Sequence, residues 1–181
     1  MSKQIFTEEI ASDDTTVESL PVEVKIETVG ERQRQISALI KIDHPQEKVW
    51  QVLTDYAALA DFVPNLAVSR LLEHPTGGVR LEQIGSQKLL TFNFKARVVL
   101  DLEEHFPQKI HFRLVEGDLK DYSGSWQLEP SIDSNGTLLH YSVRVWPHRT
   151  VPVGMIERRL AKDLQLNLLA IRQRVEDLFK I

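Results

Sequence analysis

Between Pro152 and Phe179 the apolar residues Ile156, Leu160, Leu164, Leu168, Ile171, Val175 and Leu178 recur every three or four positions. That spacing is the stripe of one amphipathic α-helix. Pro152 suits its first turn, where a missing N–H costs nothing. Such a helix is about 40 Å long at ~1.5 Å per residue. Arg158, Arg159, Lys162, Asp163, Arg172, Arg174, Glu176 and Asp177 are expected to face water on its other sides. A helix this long, at the end of a chain of strands, needs a broad apolar surface to lie on.

The preceding residues supply one. Val22, Val24 and Ile26 alternate with polar residues, and so do Ile36, Ala38, Ile40 and Ile42. These read as two half-buried strands joined near Gly30. Asp43-His44-Pro45 then starts a helix, with Asp43 or His44 as cap, Pro45 at the first helical position and Val49, Val52, Leu53 and Tyr56 inward. A second short helix is predicted over 57–62. From residue 68 onward the pattern is antiparallel strands: 68–72, 79–84, 88–104, 110–114, 122–128 and 138–146. A loop is expected over Val115–Lys120, and Ser134-Asn135-Gly136 predicts a type I′ hairpin. Helices on one face of an antiparallel sheet make an α+β chain.

With 181 residues the chain can build one domain with a sizeable core. Residues 1–20 hold one lysine against five acidic residues and so carry the whole formal charge of −4. They are expected to form a mobile acidic tail, with 21–181 as the folded domain. Ile5, Phe6 and Ile10 could serve that tail as anchors for a protein partner. The remainder is neutral, which argues against a general nucleic-acid surface. With no cysteine, thiolate nucleophiles, disulfides and Cys-ligated metals are excluded. No apolar run approaches a membrane span and no signal-peptide core is visible, so a cytoplasmic location is expected. The six histidines show no metal-ligand spacing, and there is no P-loop, G-x-G-x-x-G or G-x-S-x-G. No metal or cofactor is therefore expected. Arg97, Arg113 and Arg144 fall on outward positions where they can pair across strands.

Several stretches together carry a family resemblance. They are Val49-Trp50-Gln51-Val52-Leu53-Thr54-Asp55-Tyr56, Phe62-Val63-Pro64-Asn65-Leu66, Leu81-Glu82-Gln83-Ile84-Gly85, Gly124-Ser125-Trp126-Gln127-Leu128 and Leu139-His140-Tyr141. In this order they resemble the polyketide cyclase/dehydrase family of the START-like (SRPBCC) superfamily, which includes coenzyme Q-binding proteins. The resemblance implies a helix-grip fold, a curved antiparallel sheet wrapped around the long C-terminal helix with an apolar cavity between them. It also implies binding of lipids, quinones, polyketides or hormones, with catalysis in some members and ribosome association in one branch.

On that expectation the cavity wall comprises Leu81, Phe92, Phe94, Ala96, Phe112, Tyr122, Trp126, Tyr141 and Val143, with Leu160, Leu164 and Leu168 from the helix and Phe62 at a lip. Taken singly, each is better explained by core packing. Val115–Lys120 and Trp146–Gly154 are candidate mouth loops, with Gly117 and Gly154 permitting movement. Buried tyrosine hydroxyls and an indole N–H need partners, and a ligand carbonyl could be one. Acid–base catalysis would need a titratable group inside, and Glu104 is the weak candidate because it shares the parity of Phe92 to Leu102. The leading expectation is non-catalytic binding of an apolar small molecule. A cyclase, aromatase or dehydratase is the alternative, and a protein or ribosome interaction module is a third.

Overall fold

Two-residue alternation and one helical stripe must bury their apolar faces against each other, and the computed structural model shows how. It describes residues 22–89 and 92–180. The strands are β1 (Val22–Thr28), β2 (Arg34–Ile42), β3 (Leu66–Leu72), β4 (Val79–Leu89), β5 (Phe92–His105), β6 (Lys109–Gly117), β7 (Leu119–Pro130) and β8 (Thr137–Pro147). The helices are α1 (Gln46–Thr54), α2 (Leu59–Phe62) and α3 (Val153–Leu178). All eight strands form one antiparallel sheet in the order β1-β2-β8-β7-β6-β5-β4-β3. Consecutive strands pair by hairpins except after β2. There α1 and α2 carry the chain to the far edge, so that β8 can close beside β2.

The alternation read from sequence is the burial pattern observed. Ile36, Ala38, Ile40 and Ile42 of β2 face inward, as do Leu139, Tyr141, Val143 and Val145 of β8, in register with one another. From α3, Ile156, Leu164, Leu168, Ile171 and Val175 are buried, and the helix packs on β1, β2, α1 and α2. Each such aliphatic side chain contributes roughly 1.5–3 kcal/mol when removed from water. The C-terminal end of α3 is fastened to α1, where Phe179 lies under the Lys48 ammonium and beside the His44 ring.

Five local expectations change. β4 runs on to Leu89 and β5 begins at Phe92, where a strand ending at 84 and another over 88–104 were expected. Pro45 and Pro152 are the N-caps of α1 and α3 and not their first helical residues, and neither helix has a side-chain cap. His44 is buried instead, and its carbonyl accepts the Thr137 hydroxyl at 2.7 Å. The Val115–Lys120 loop shrinks to Asp118, because β6 and β7 run on to either side of it. Gly117 is required there: a Cβ would stand 2.4 Å from the Arg97 carbonyl. The Ser134-Asn135-Gly136 hairpin is a longer loop closed by Ser131 N–H donating to the Gly136 carbonyl at 2.9 Å. Gly136 does not take the left-handed backbone of a type I′ turn, and close approach to the Ile42 carbonyl explains it instead. The acidic tail 1–20 and the side chains of Phe92 and Phe94 lie outside the described residues. Among the described residues no helix is long and apolar enough to cross a membrane.

Candidate functional site

The sheet and the N-terminal half of α3 do not meet completely. Between them lies a cavity of about 280 Å³. Leu81 and Ala96 border it from β4 and β5, and Val98, Leu100 and Leu102 continue that wall. Phe112, Tyr122, Trp126 and Tyr141 form an aromatic corner from β6, β7 and β8, and Leu160 and Leu164 close the space from the helix. Of the other expected wall residues, Val143 and Leu168 are fully buried in the core beyond the cavity. Phe62 stacks instead under the Arg174 guanidinium, 5.4 Å from its ring centroid.

The aromatic corner is built on a glycine. Residues 122, 124 and 126 share the inward face of β7 and pair with Val145, Val143 and Tyr141 of β8. A Cβ on Gly124 would stand 2.9 Å from Phe112 Cζ, so its absence makes room for that ring. Phe112 then stacks on Tyr141, with centroids 5.8 Å apart and planes 17° apart, and leans on Tyr122 at 5.7 Å. Trp126 meets Tyr141 at 4.2 Å. The Tyr122 and Tyr141 hydroxyls are hydrogen-bonded to each other at 3.0 Å. Burial pushes both phenols above their ordinary value, so both stay protonated at neutral pH.

Glu104 does not border the cavity. The β5 parity holds, but the strand has passed the end of the cavity by that point. The Glu104 side chain is exposed, and its carboxylate accepts a hydrogen bond from the Tyr56 hydroxyl. The acid that does border the cavity is Asp163, which sequence reasoning placed on a wet face of the helix. Arg159 Nε donates to Asp163 at 3.2 Å, and Asn65 Nδ2 donates to its other oxygen at 3.2 Å. Asn65 holds a left-handed backbone (φ 62°) between α2 and β3, a conformation asparagine tolerates. Its carbonyl is tied to β4 through Ser86 N–H at 2.8 Å. With its nitrogen turned toward them, the Asn167 amide donates to the carbonyls of Asp163 (3.1 Å) and Pro64 (3.2 Å). Burial raises the Asp163 pKa above the usual aspartate value, against the opposing pull of Arg159 and Lys162. The missed signal was the spacing 159–163–167, four apart and one residue behind the apolar stripe, which presents a polar edge to the same side.

The loop after β8, expected to move about Gly154, is held at its base. The Arg32 guanidinium donates to the carbonyls of His148 (3.1 Å) and Val151 (2.6 Å), and Arg34 pairs with Glu157. On the outer face, Arg97 binds Glu82 and Glu116, Arg113 binds Asp101, and Arg144 binds Asp121, as their outward parity implied. Among the described residues no cluster of three or more His, Cys, Asp or Glu is placed to hold a metal ion.

A curved antiparallel sheet gripping a long C-terminal helix, with an apolar cavity between them, defines the helix-grip class of START-like folds. The profile of the polyketide cyclase/dehydrase and lipid transport family matches residues 42–169, and the chain belongs to that family. A comparison with curated proteins finds no match. Among solved structures the chain is similar to a STAR-related lipid transfer protein from Xanthomonas axonopodis, with 17% identity and a TM-score of 0.68 over 88% of this chain and 96% of that one. It is also similar to the Zhui aromatase/cyclase from a Streptomyces species, at 19% identity and a TM-score of 0.65, over 80% of this chain and 94% of that one. A START superfamily protein from Mycobacterium smegmatis matches at 17% identity with a TM-score of 0.67, over 80% and 99% of the two chains. At these identities the likeness is one of fold.

Proposed function

We propose that this protein binds an apolar small molecule, of the lipid or isoprenoid-quinone kind, in the cavity between the sheet and α3. One observation carries the reading. Among the described residues the cavity wall holds only two charged side chains, Arg159 and Asp163, and these are paired with each other at 3.2 Å. The rest of the wall is aliphatic and aromatic with a few neutral polar groups, the usual make-up of a small-molecule site. At about 280 Å³ the space takes a compact ring or a short chain. Similarity to a protein named for lipid transfer supports the same reading. The test is native mass spectrometry of the purified protein followed by organic extraction. A retained apolar compound is expected. A protein that is empty, and stays empty after incubation with quinones and lipids, would overturn the proposal.

Asp163 favours one second reading. A partly buried acid with a raised pKa at the cavity rim meets the first requirement for general acid catalysis, and the likeness to an aromatase/cyclase points the same way. That reading expects turnover of a poly-β-ketone by the wild type and none by Asp163→Asn. Equal rates for the two would end it.

A further inference from the structure

The polar atoms of the aromatic corner can be counted. Tyr122 and Tyr141 carry two hydroxyl hydrogens, and their mutual hydrogen bond at 3.0 Å uses one. No carbonyl or side chain among the described residues accepts the other. One hydroxyl hydrogen of the pair therefore borders one end of the cavity without an acceptor. A buried donor left unmade is costly, and the cost is recovered by whatever supplies a lone pair.

The chemistry of the rest of the wall narrows what that group is. Among the described residues the one cation on the wall, Arg159, is engaged by Asp163, so a carboxylate at the aromatic corner would lose its hydration without gaining a counter-charge. An ammonium or amide donor would face hydrogens already in surplus. Phenols pushed upward by burial do not ionise at neutral pH and so do not turn into acceptors of charge. What remains is a neutral acceptor, and a carbonyl oxygen supplies one without bringing a further hydrogen that must be placed.

We infer that the Tyr122 and Tyr141 hydroxyls form a recognition corner for the neutral carbonyl oxygen of the ligand, a ketone, quinone or ester, and that the cavity selects against the corresponding acid. The inference rests on the binding reading above and refines it. The pair works as a switchable donor: whichever hydroxyl accepts from its neighbour turns its own hydrogen to the ligand. Removing either oxygen leaves one hydroxyl still able to donate, and removing both leaves none.

The test compares three ligands of one shape by isothermal titration: 2-acetylnaphthalene, 2-isopropylnaphthalene and 2-naphthoate, at pH 7. Wild type should bind the ketone about tenfold more tightly than the hydrocarbon, the return on one net hydrogen bond, and bind the naphthoate most weakly. Tyr122→Phe and Tyr141→Phe should each keep most of the ketone-to-hydrocarbon ratio, and the double variant should bring it close to one. Thermal melts of each variant establish that it is folded. Equal binding of ketone and hydrocarbon by wild type would overturn the inference alone, since a resident water would then satisfy the donors. So would a ratio that survives in the double variant, or tighter binding of the acid. If neither neutral ligand binds, the binding reading falls together with the inference.

Discussion

Gly124→Ala tests whether the aromatic corner depends on the close approach at this glycine. A Cβ built on Gly124 stands 1.9 Å from the Ser142 carbonyl oxygen and 2.9 Å from Phe112 Cζ. Phe112 can turn aside, but the Ser142 carbonyl belongs to the β8 backbone. The methyl therefore forces β7 away from β8 by roughly 1 Å or more to reach ordinary contact distance. It does so in the middle of a ladder that runs in register from Tyr122 to Pro130. Weakening about two ladder hydrogen bonds at ~1 kcal/mol each and overpacking at ~1–3 kcal/mol together give a loss of about 3–5 kcal/mol. Phe112 would also move into the cavity. Urea unfolding followed by tryptophan fluorescence measures the first effect, and uptake of the compound recovered by extraction measures the second. A loss below about 1 kcal/mol with uptake intact would refute the argument, because the strands would then have absorbed the methyl without parting.

Gly85 makes the opposite prediction. A Cβ there meets nothing closer than the Asn65 carbonyl at 3.8 Å, and the residue borders the cavity. Gly85→Val should leave stability unchanged or raise it by up to ~1 kcal/mol, as a β-branched residue in a strand interior does, while lowering ligand uptake; a destabilised variant with normal uptake would contradict this. Asp163 holds its proton more tightly folded than unfolded, so its contribution to stability is present at acid pH and is lost as pH rises through its raised pKa. Asp163→Asn should accordingly melt above wild type at neutral pH, the gap closing toward acid pH, and a variant less stable at neutral pH would sink the assignment. Glu82, held by Arg97 and Arg70, and Asp101, held by Arg80, have lowered pKa values. Their stabilisation is present above the ordinary carboxylate range and is lost as pH falls through those lowered values, so Glu82→Gln with Asp101→Asn should flatten the acid limb of the melting profile.

Strand parity and helical period were local enough to read. Ile36 to Ile42, Leu139 to Val145 and the stripe of α3 needed only their own spacing. What failed depended on neighbours distant in sequence. The Val115–Lys120 loop vanished because β6 carries an irregularity opposite Val99 and Leu100, which leaves Val115 outside and lets both strands run on. Asn-Gly at 135–136 satisfies the hairpin rule in isolation, but the approach of β2 decides the loop. Glu104 shows the limit of parity: it gives the face of a strand, not the point along it where the cavity ends. Asp163 shows the converse, for an amphipathic stripe marks the centre of a helix's buried face and leaves the edges undecided.

The cavity itself arises from two choices that local reading treats as unrelated. Gly85 and Ala96 keep the sheet small where they pair with each other, and the helix opposite offers Arg159, Asp163 and Asn167 beside its leucines. Small faces polar, so the space stays unfilled. Further along α3, where Leu168 and Val175 meet the β1–β2 end of the sheet, the same helix is sealed. An unfilled apolar space forfeits dispersion contacts along its walls. The two glycines separate the causes: Gly124 is small because the backbone allows nothing larger, whereas Gly85 is small with room to spare. Backbone geometry accounts for the first, and it leaves the second to be explained by something that occupies the space.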